Sequence, residues 1–315
     1  MSAPRDRPGL SGVAPVAAGP DPSTPALHTI LTRWYDGAKR DLPWRRPQAG
    51  PWAVLVSEVM LQQTPVQRVL PVYSTWLERW PSPALLAADL PGEAVRLWGR
   101  LGYPRRALRL HEAATVISAH HGGTVPASVD ELLALPGVGD YTARAVAAFA
   151  FGQRQPVVDT NVRRVIARVV HGVGDSPARR SDLRTALDLL PPHPGQAALA
   201  SVALMELGAL LCTARSPRCG SCPLSGRCRW LQVGRPPLAT AIRRPQPYAG
   251  TDRQVRGLLL AVVRSSPGPV SAAELDEAWP EPPQRTRALA SLLVDGLLHE
   301  LPDGRVALPG HTRPR

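Results

Sequence analysis

LPGVGDYTARAVAAFAFGQRQPVVDTN, Leu135 to Asn161, decides how the rest of the chain is read. Its first five residues set Gly137 and Gly139 between the end of one apolar helical pattern and the start of the next. Glycine admits a positive φ and a close backbone approach, so the turn can be tight. The amides that open the following helix lack partners within it and readily meet an anion. The stretch closes on Pro156-Val157-Val158, an apolar run that delivers Asp159 ahead of Thr160-Asn161. A phosphate grip thus precedes, by about twenty residues, a carboxylate able to do chemistry. An ordinary turn between helices is the plainer alternative for the glycines. A helix N-cap is the plainer alternative for Asp159, and capping is compatible with chemistry.

The bulk properties point to a polyanion. The 315 residues carry a formal net charge of +12, and Lys39 is the only lysine among 37 basic residues. Such a balance suits nucleic acid. A length of this kind fits a two-part body with an appendage, and 44% hydrophobic residues supply its cores. The four cysteines all fall between Cys212 and Cys228, which excludes a spread disulfide scaffold and favours a metal or iron–sulfur site in a reducing compartment. No apolar run approaches the roughly 18 residues of a membrane span. Residues 1–25 are rich in Pro, Ala and Gly, lack an apolar signal core, and read as a disordered tail on a cytoplasmic protein.

From Leu27 to Leu211 the apolar spacing is helical, with proline and glycine punctuation at Pro81, Pro83, Pro91 and Gly102 and no strand-period segment. The spacing predicts helices over WAVLVSEVMLQQ behind Pro51, over 66–80, 93–101, 105–120, 128–135, 141–151, 162–170, 181–190 and 196–211. The expected fold class is all-α. Residues 231–250 read as a proline-rich basic linker. Beyond it come three helical patterns and an alternating segment around Asp303-Gly304, a hairpin signal. That order makes 251–310 a small winged-helix-like module, or, more plainly, a packing appendage.

Glu58 sits in the apolar WAVLVSEVMLQQ, either on an exposed face or buried. Burial would hold it protonated, as a general acid requires. Paired with Asp159 it suits glycosidic chemistry, one group protonating the leaving base and the other stabilising an oxocarbenium-like sugar. Cys212, Cys219, Cys222 and Cys228 follow C-x6-C-x2-C-x5-C, a four-thiolate set for zinc or a [4Fe–4S] cluster.

LPGVG, VVDTNV and the cysteine spacing, in that order, resemble the helix-hairpin-helix DNA glycosylases. SEVMLQQT (Ser57–Thr64), LPWR (Leu42–Arg45), LWGRLGY (Leu97–Tyr103) and MELGA (Met205–Ala209) narrow the resemblance to the adenine DNA glycosylase (MutY) family over about residues 26–230. The resemblance implies a two-module helical core with a DNA cleft between the modules, and a [4Fe–4S] cluster on the four cysteines. It implies Glu58 as the acid on adenine, Asp159 as the carboxylate at the sugar, and Tyr141 and Asn161 as their support. Arg45 and Glu206 match positions on the base pocket, Gln63 and Tyr103 the wedges that enter the stack, and Gly137 and Gly139 the phosphate-binding hairpin. The partner implied is double-stranded DNA with a mispaired adenine, bound by a monomer. The cluster would organise its loop so that Arg215, Arg218, Arg227 and Arg229 meet the backbone.

The related lyases carry an amine two residues past the second glycine; here that position is Tyr141, so a monofunctional glycosylase is expected. A thymine mismatch glycosylase and a non-catalytic DNA-binding protein are the competing readings. One departure stands out. The roughly 65 residues after Gly250 are too few for the family's Nudix-like domain, and its Phe-Ser-His tripeptide is absent.

Overall fold

The computed structural model describes residues 26–237 and 248–311. The expected tail, 1–25, and the middle of the expected linker, 238–247, lie outside the described residues. What is described is almost wholly helical, and it gathers around two main apolar cores.

The first lobe holds α2 (Pro51–Leu61), α3 (Val66–Arg79), α4 (Pro83–Ala88), α5 (Pro91–Trp98), α6 (Arg105–His120), α7 (Val129–Leu133) and α8 (Asp140–Phe151). Its axis is α2, apolar on every side, with Val54 through Met60 all buried. A helix without a polar face belongs in the middle of a lobe. Trp76 packs edge-on against Trp80 and Trp98, with ring centroids 4.7 and 5.6 Å apart. Pro83 and Pro91, read from sequence as breaks, instead open α4 and α5 at their first turns. A first-turn proline forfeits no helical hydrogen bond, and Ser82 caps α4 through Leu85 N–H.

The second lobe is assembled from both flanks of the first. It joins α1 (Leu27–Ala38) to α9 (Thr160–Val169), α10 (Ser181–Leu189), α11 (Pro194–Leu210), the cysteine loop and α12 (Arg229–Gln232). Here α11 is the central, all-round apolar helix. Tyr141 and Met205 meet across Ala145, Ala148 and Val157, where the lobes adjoin.

The C-terminal module runs α13 (Asp252–Ser265), a single bridge residue Val270, α14 (Ala272–Ala278), α15 (Pro282–Val294), then β1 (His299–Glu300) and β2 (Val306–Ala307). β1 and β2 pair antiparallel, with His299 opposite Ala307, and Val270 joins the far side of Val306. The module's order is thus a helix, a one-residue bridge, two helices and a hairpin. The module is not merely tethered: Val255, Leu259, Leu260 and Val263 enter the core of lobe one. Arg96 of α5 donates to the carbonyls of Arg264 and Ser266, and Gly92 N–H to Pro309 O at 2.8 Å. Among the described residues no helix is long and apolar enough to cross a membrane.

Candidate active site

Three elements converge where the lobes adjoin. α2 contributes Glu58, α8 contributes Tyr141 as its second residue, and the turn before α9 contributes Asp159. Glu58 is the one carboxylate on an otherwise uncharged helix, and it is 5% exposed. Burial pushes its pKa up to about 7; the Tyr141 hydroxyl and Arg45 pull against that rise, and the neighbouring Asp159 charge adds to it.

Asp159 is the N-cap of α9. Its Oδ1 accepts from Val162 N–H at 2.7 Å and its Oδ2 from Asn161 Nδ2 at 2.7 Å. Burial raises this carboxyl too, but those N–H donors and Arg164 oppose the rise. The two acids therefore sit in unlike surroundings: one apolar, the other furnished with donors. Asn161 is itself fixed, accepting from Arg164 Nη2 at 2.7 Å. Gly208 lets α11 come this close, because a β-carbon there would stand 2.7 Å from both Asn161 Cβ and its carbonyl oxygen.

Glu206, on α11, is fully buried and held by two arginines. Arg40 grips it with Nε to Oε1 at 2.8 Å and Nη2 to Oε2 at 2.6 Å, and Arg45 Nη1 stands 3.0 Å from Oε2. Burial alone would raise its pKa; the Arg40 hydrogen bonds and the Arg45 charge prevail and hold it low. Arg45 thus lies between Glu206 and the Glu58–Tyr141 pair.

A second constellation lies beside the first. Gln63 and Tyr103 are both exposed and both left-handed, at φ 55° and 48°. The helix expected to include Gln62 and Gln63 stops at Leu61. Left-handed backbone is costly for side chains other than glycine and persists only where its surroundings enforce it. Arg106 does the enforcing. Its Nη1 donates to the carbonyls of Val59, Met60 and Gln62 at 2.9, 3.0 and 2.6 Å. Its Nη2 donates to Thr64 Oγ1 and Gly102 O at 2.9 and 3.0 Å, and its guanidinium lies over the Tyr103 ring.

The glycine turn follows. Gly137 has φ +77°, and a β-carbon there would stand 2.6 Å from Arg109 Cβ. Gly139 has an ordinary φ of −98° and caps α8 with no side-chain bond; its contribution is open space over the first amides of the helix.

The four cysteines are unpaired thiols that line one small cavity of lobe two. Four thiols around one cavity supply the donor set that a cubane cluster requires. Two arginines tie this loop down: Arg164 Nε donates to Cys212 O at 2.6 Å, and Arg168 donates to Cys212 Sγ at 3.4 Å and to Thr213 O at 2.7 Å.

The HhH-GPD superfamily base excision DNA repair protein family matches residues 56–192. The iron-sulfur binding domain of endonuclease III matches residues 212–228. An adenine DNA glycosylase of Mycolicibacterium smegmatis is 60% identical over 281 residues, covering 89% of this chain and 95% of that protein. The chain belongs to the adenine DNA glycosylase family. Two solved structures resemble it further. A thermostable thymine-DNA glycosylase matches with a TM-score of 0.60 and 28% identity, covering 65% of this chain and 95% of that one. A non-covalent endonuclease III–DNA complex gives 0.56 and 26%, covering 65% and 94%.

This adenine DNA glycosylase family member therefore carries a helix-hairpin-helix repair fold with a [4Fe–4S] loop, and binds DNA. Four residues escaped the sequence reading. Arg106 looks no different from Arg105 beside it. Arg40 stands on a connecting segment with no periodicity. Arg164 and Arg168 did leave a signal, because with Asn161 they recur at helical spacing on one face of α9. In Cys219→Ser, iron per protein and visible absorbance should fall. Base release should slow as well, with most helicity kept, because Arg164 anchors both Asn161 and the loop. A full iron complement would refute the ligand assignment.

Proposed function

We propose that the chain is a monofunctional base-excision repair enzyme that releases adenine mispaired with 8-oxoguanine or guanine and leaves an abasic site. One observation carries the reading: Glu58 is buried at about pKa 7 beside an Asp159 that accepts N–H donors. Such a pair keeps an acid and an anion side by side at neutral pH. The hairpin amides at Gly137–Gly139 and the basic surface hold phosphates. Gln63 and Tyr103 enter the stack, since a glycosidic bond is out of reach inside a duplex. Arg45 and Glu206 wall the base pocket. Glu58 gives its proton to N7 of the extruded adenine. The C1′–N9 bond then breaks with its electron pair leaving on the base, and Asp159, steadied by Asn161, faces the cationic sugar. Water adds at C1′ and returns its proton to the Glu58 carboxylate, which Tyr141 orients. The cluster's contribution is structural, bracing the 212–228 loop. The protein acts as a monomer in the cytoplasm.

The similarity to a thymine-DNA glycosylase structure keeps one rival in view. Duplexes carrying A opposite 8-oxoguanine and T opposite G separate the two by which base is released. Adenine is expected; release of thymine alone would overturn the reading. Tyr141 in place of an amine also predicts no Schiff base. Borohydride should trap no covalent protein–DNA adduct, and strands should stay intact until alkali treatment. Efficient nicking before alkali would refute the monofunctional assignment.

A further inference from the structure

Glu58 and Asp159 do not line the cleft, of about 1380 Å³, that Gln63, Tyr103 and Gly137 wall together with α13. It is strongly basic: Arg68, Arg100 and Arg253 line it without a carboxylate partner among the described residues, whereas Arg105 is taken up by Asp295 and Arg109 by Glu112. Arg253, Gly257, Ala261 and Arg264 all reach it, at the spacing of a single face of α13. The two small residues leave a shallow floor between the arginines. Tyr248 lies on that floor, 54% exposed; a β-carbon at Gly257 would stand 3.2 Å from its hydroxyl. The Arg253 guanidinium sits 5.2 Å from its ring centroid. An exposed aromatic ring held beside a free arginine is a stacking platform with a phosphate contact.

We propose that this shelf, Tyr248 with Arg253 on α13, is a DNA-binding surface of the C-terminal module and takes the strand opposite the extruded adenine. The strand follows from position. The flipped nucleotide moves toward Glu58 and Asp159, so the cleft beyond the wedges is left to the complementary strand. This deepens the function proposed above and rests on it. It also departs from the usual use of a winged helix, in which the third helix enters a groove. Here the arginines of α15 are engaged within the module, Arg285 with Asp276 at 2.6 Å and Arg287 with Asp252 at 3.3 Å.

Because the module shares the core of lobe one, point substitutions test this more cleanly than truncation. The probe is a fluorescein-labelled A:8-oxoguanine duplex with a cleavage-resistant 2′-fluoro-adenosine, followed by anisotropy across a salt series. Tyr248→Ala and Arg253→Ala should each weaken Kd by about tenfold, and Arg253→Ala should lower the salt slope by about one. Arg287→Ala should bind as wild type. Methylphosphonate linkages in the strand opposite adenine should weaken wild type more than Arg253→Ala. Wild-type affinity and slope in both shelf variants, or a loss in Arg287→Ala instead, would overturn the proposal. So would a methylphosphonate effect confined to the adenine strand. If wild type itself shows no binding to this duplex, the functional reading fails instead.

Discussion

Glu58→Gln should slow single-turnover adenine release by about 10²–10⁴-fold, the usual contribution of a general acid, while the protein still binds the mismatch. The amide has the size and hydrogen-bonding reach of the acid but no proton to give. In wild type, release should hold at acidic pH as long as Asp159 is ionised, then fall as pH rises through about 7, where Glu58 loses its proton. The same burial predicts a gain in stability. Glu58 holds its proton more tightly folded than unfolded, since its pKa rises from 4.5 to about 7. Its favourable contribution is therefore complete below the unfolded value and lost as pH passes the folded one. At pH 8 the wild type keeps a buried charge at a cost of roughly 3 kcal/mol, taking about 1.4 kcal/mol per pKa unit. Glu58→Gln should thus melt several degrees higher than wild type at pH 8 and nearly with it at pH 4.5. Equal melting temperatures at both pH values would mean that Glu58 is not buried as a charge. A rate unchanged by the substitution would remove it from the chemistry.

Arg106→Ala carries the second large effect. Burial lowers the guanidinium pKa to about 10, so it remains charged at neutral pH while donating to five carbonyls and a hydroxyl. Its removal strands the last carbonyls of α2 and frees the two left-handed residues together. A loss of about 3–5 kcal/mol is expected in urea unfolding, at one to three per unpartnered group and less where cleft water steps in. The functional loss should exceed the loss in stability. With Gln63 and Tyr103 free to relax, 2-aminopurine in place of the adenine should show slow and incomplete extrusion. Arg106→Lys keeps the charge but not the fork, and should recover part of the stability and little of the extrusion. Normal extrusion in a folded Arg106→Ala protein would refute the role.

Much of this was legible in the residues. Apolar spacing and proline placement marked most helices, since both act within a few residues of each other. LPGVG and VVDTN marked the turn and the cap for the same reason. Pro83 was misread because a first-turn proline and a loop proline look alike until the cap at Ser82 is seen. The environment of Glu58 was legible only as a choice between two faces, because α2 is apolar all round and its pattern names no solvent side. Arg106 was invisible. Its role comes from reaching across two loops separated by some forty residues, and no local pattern encodes that reach.

The interleaving of the chain has a consequence for synthesis. α1 waits on α11 for its partner, and the core of lobe one is finished only by α13 and the hairpin beyond it. Neither lobe is complete when its first helix leaves the ribosome. Lobe two closes only after the cysteine loop emerges, so cluster insertion and the meeting of α1 with α11 fall in the same late window. Long-range closure of this kind is slow and leaves apolar faces exposed meanwhile. Lobe two should therefore reach its native packing late, and chains made without iron should keep their helices while the cysteine loop stays unsettled.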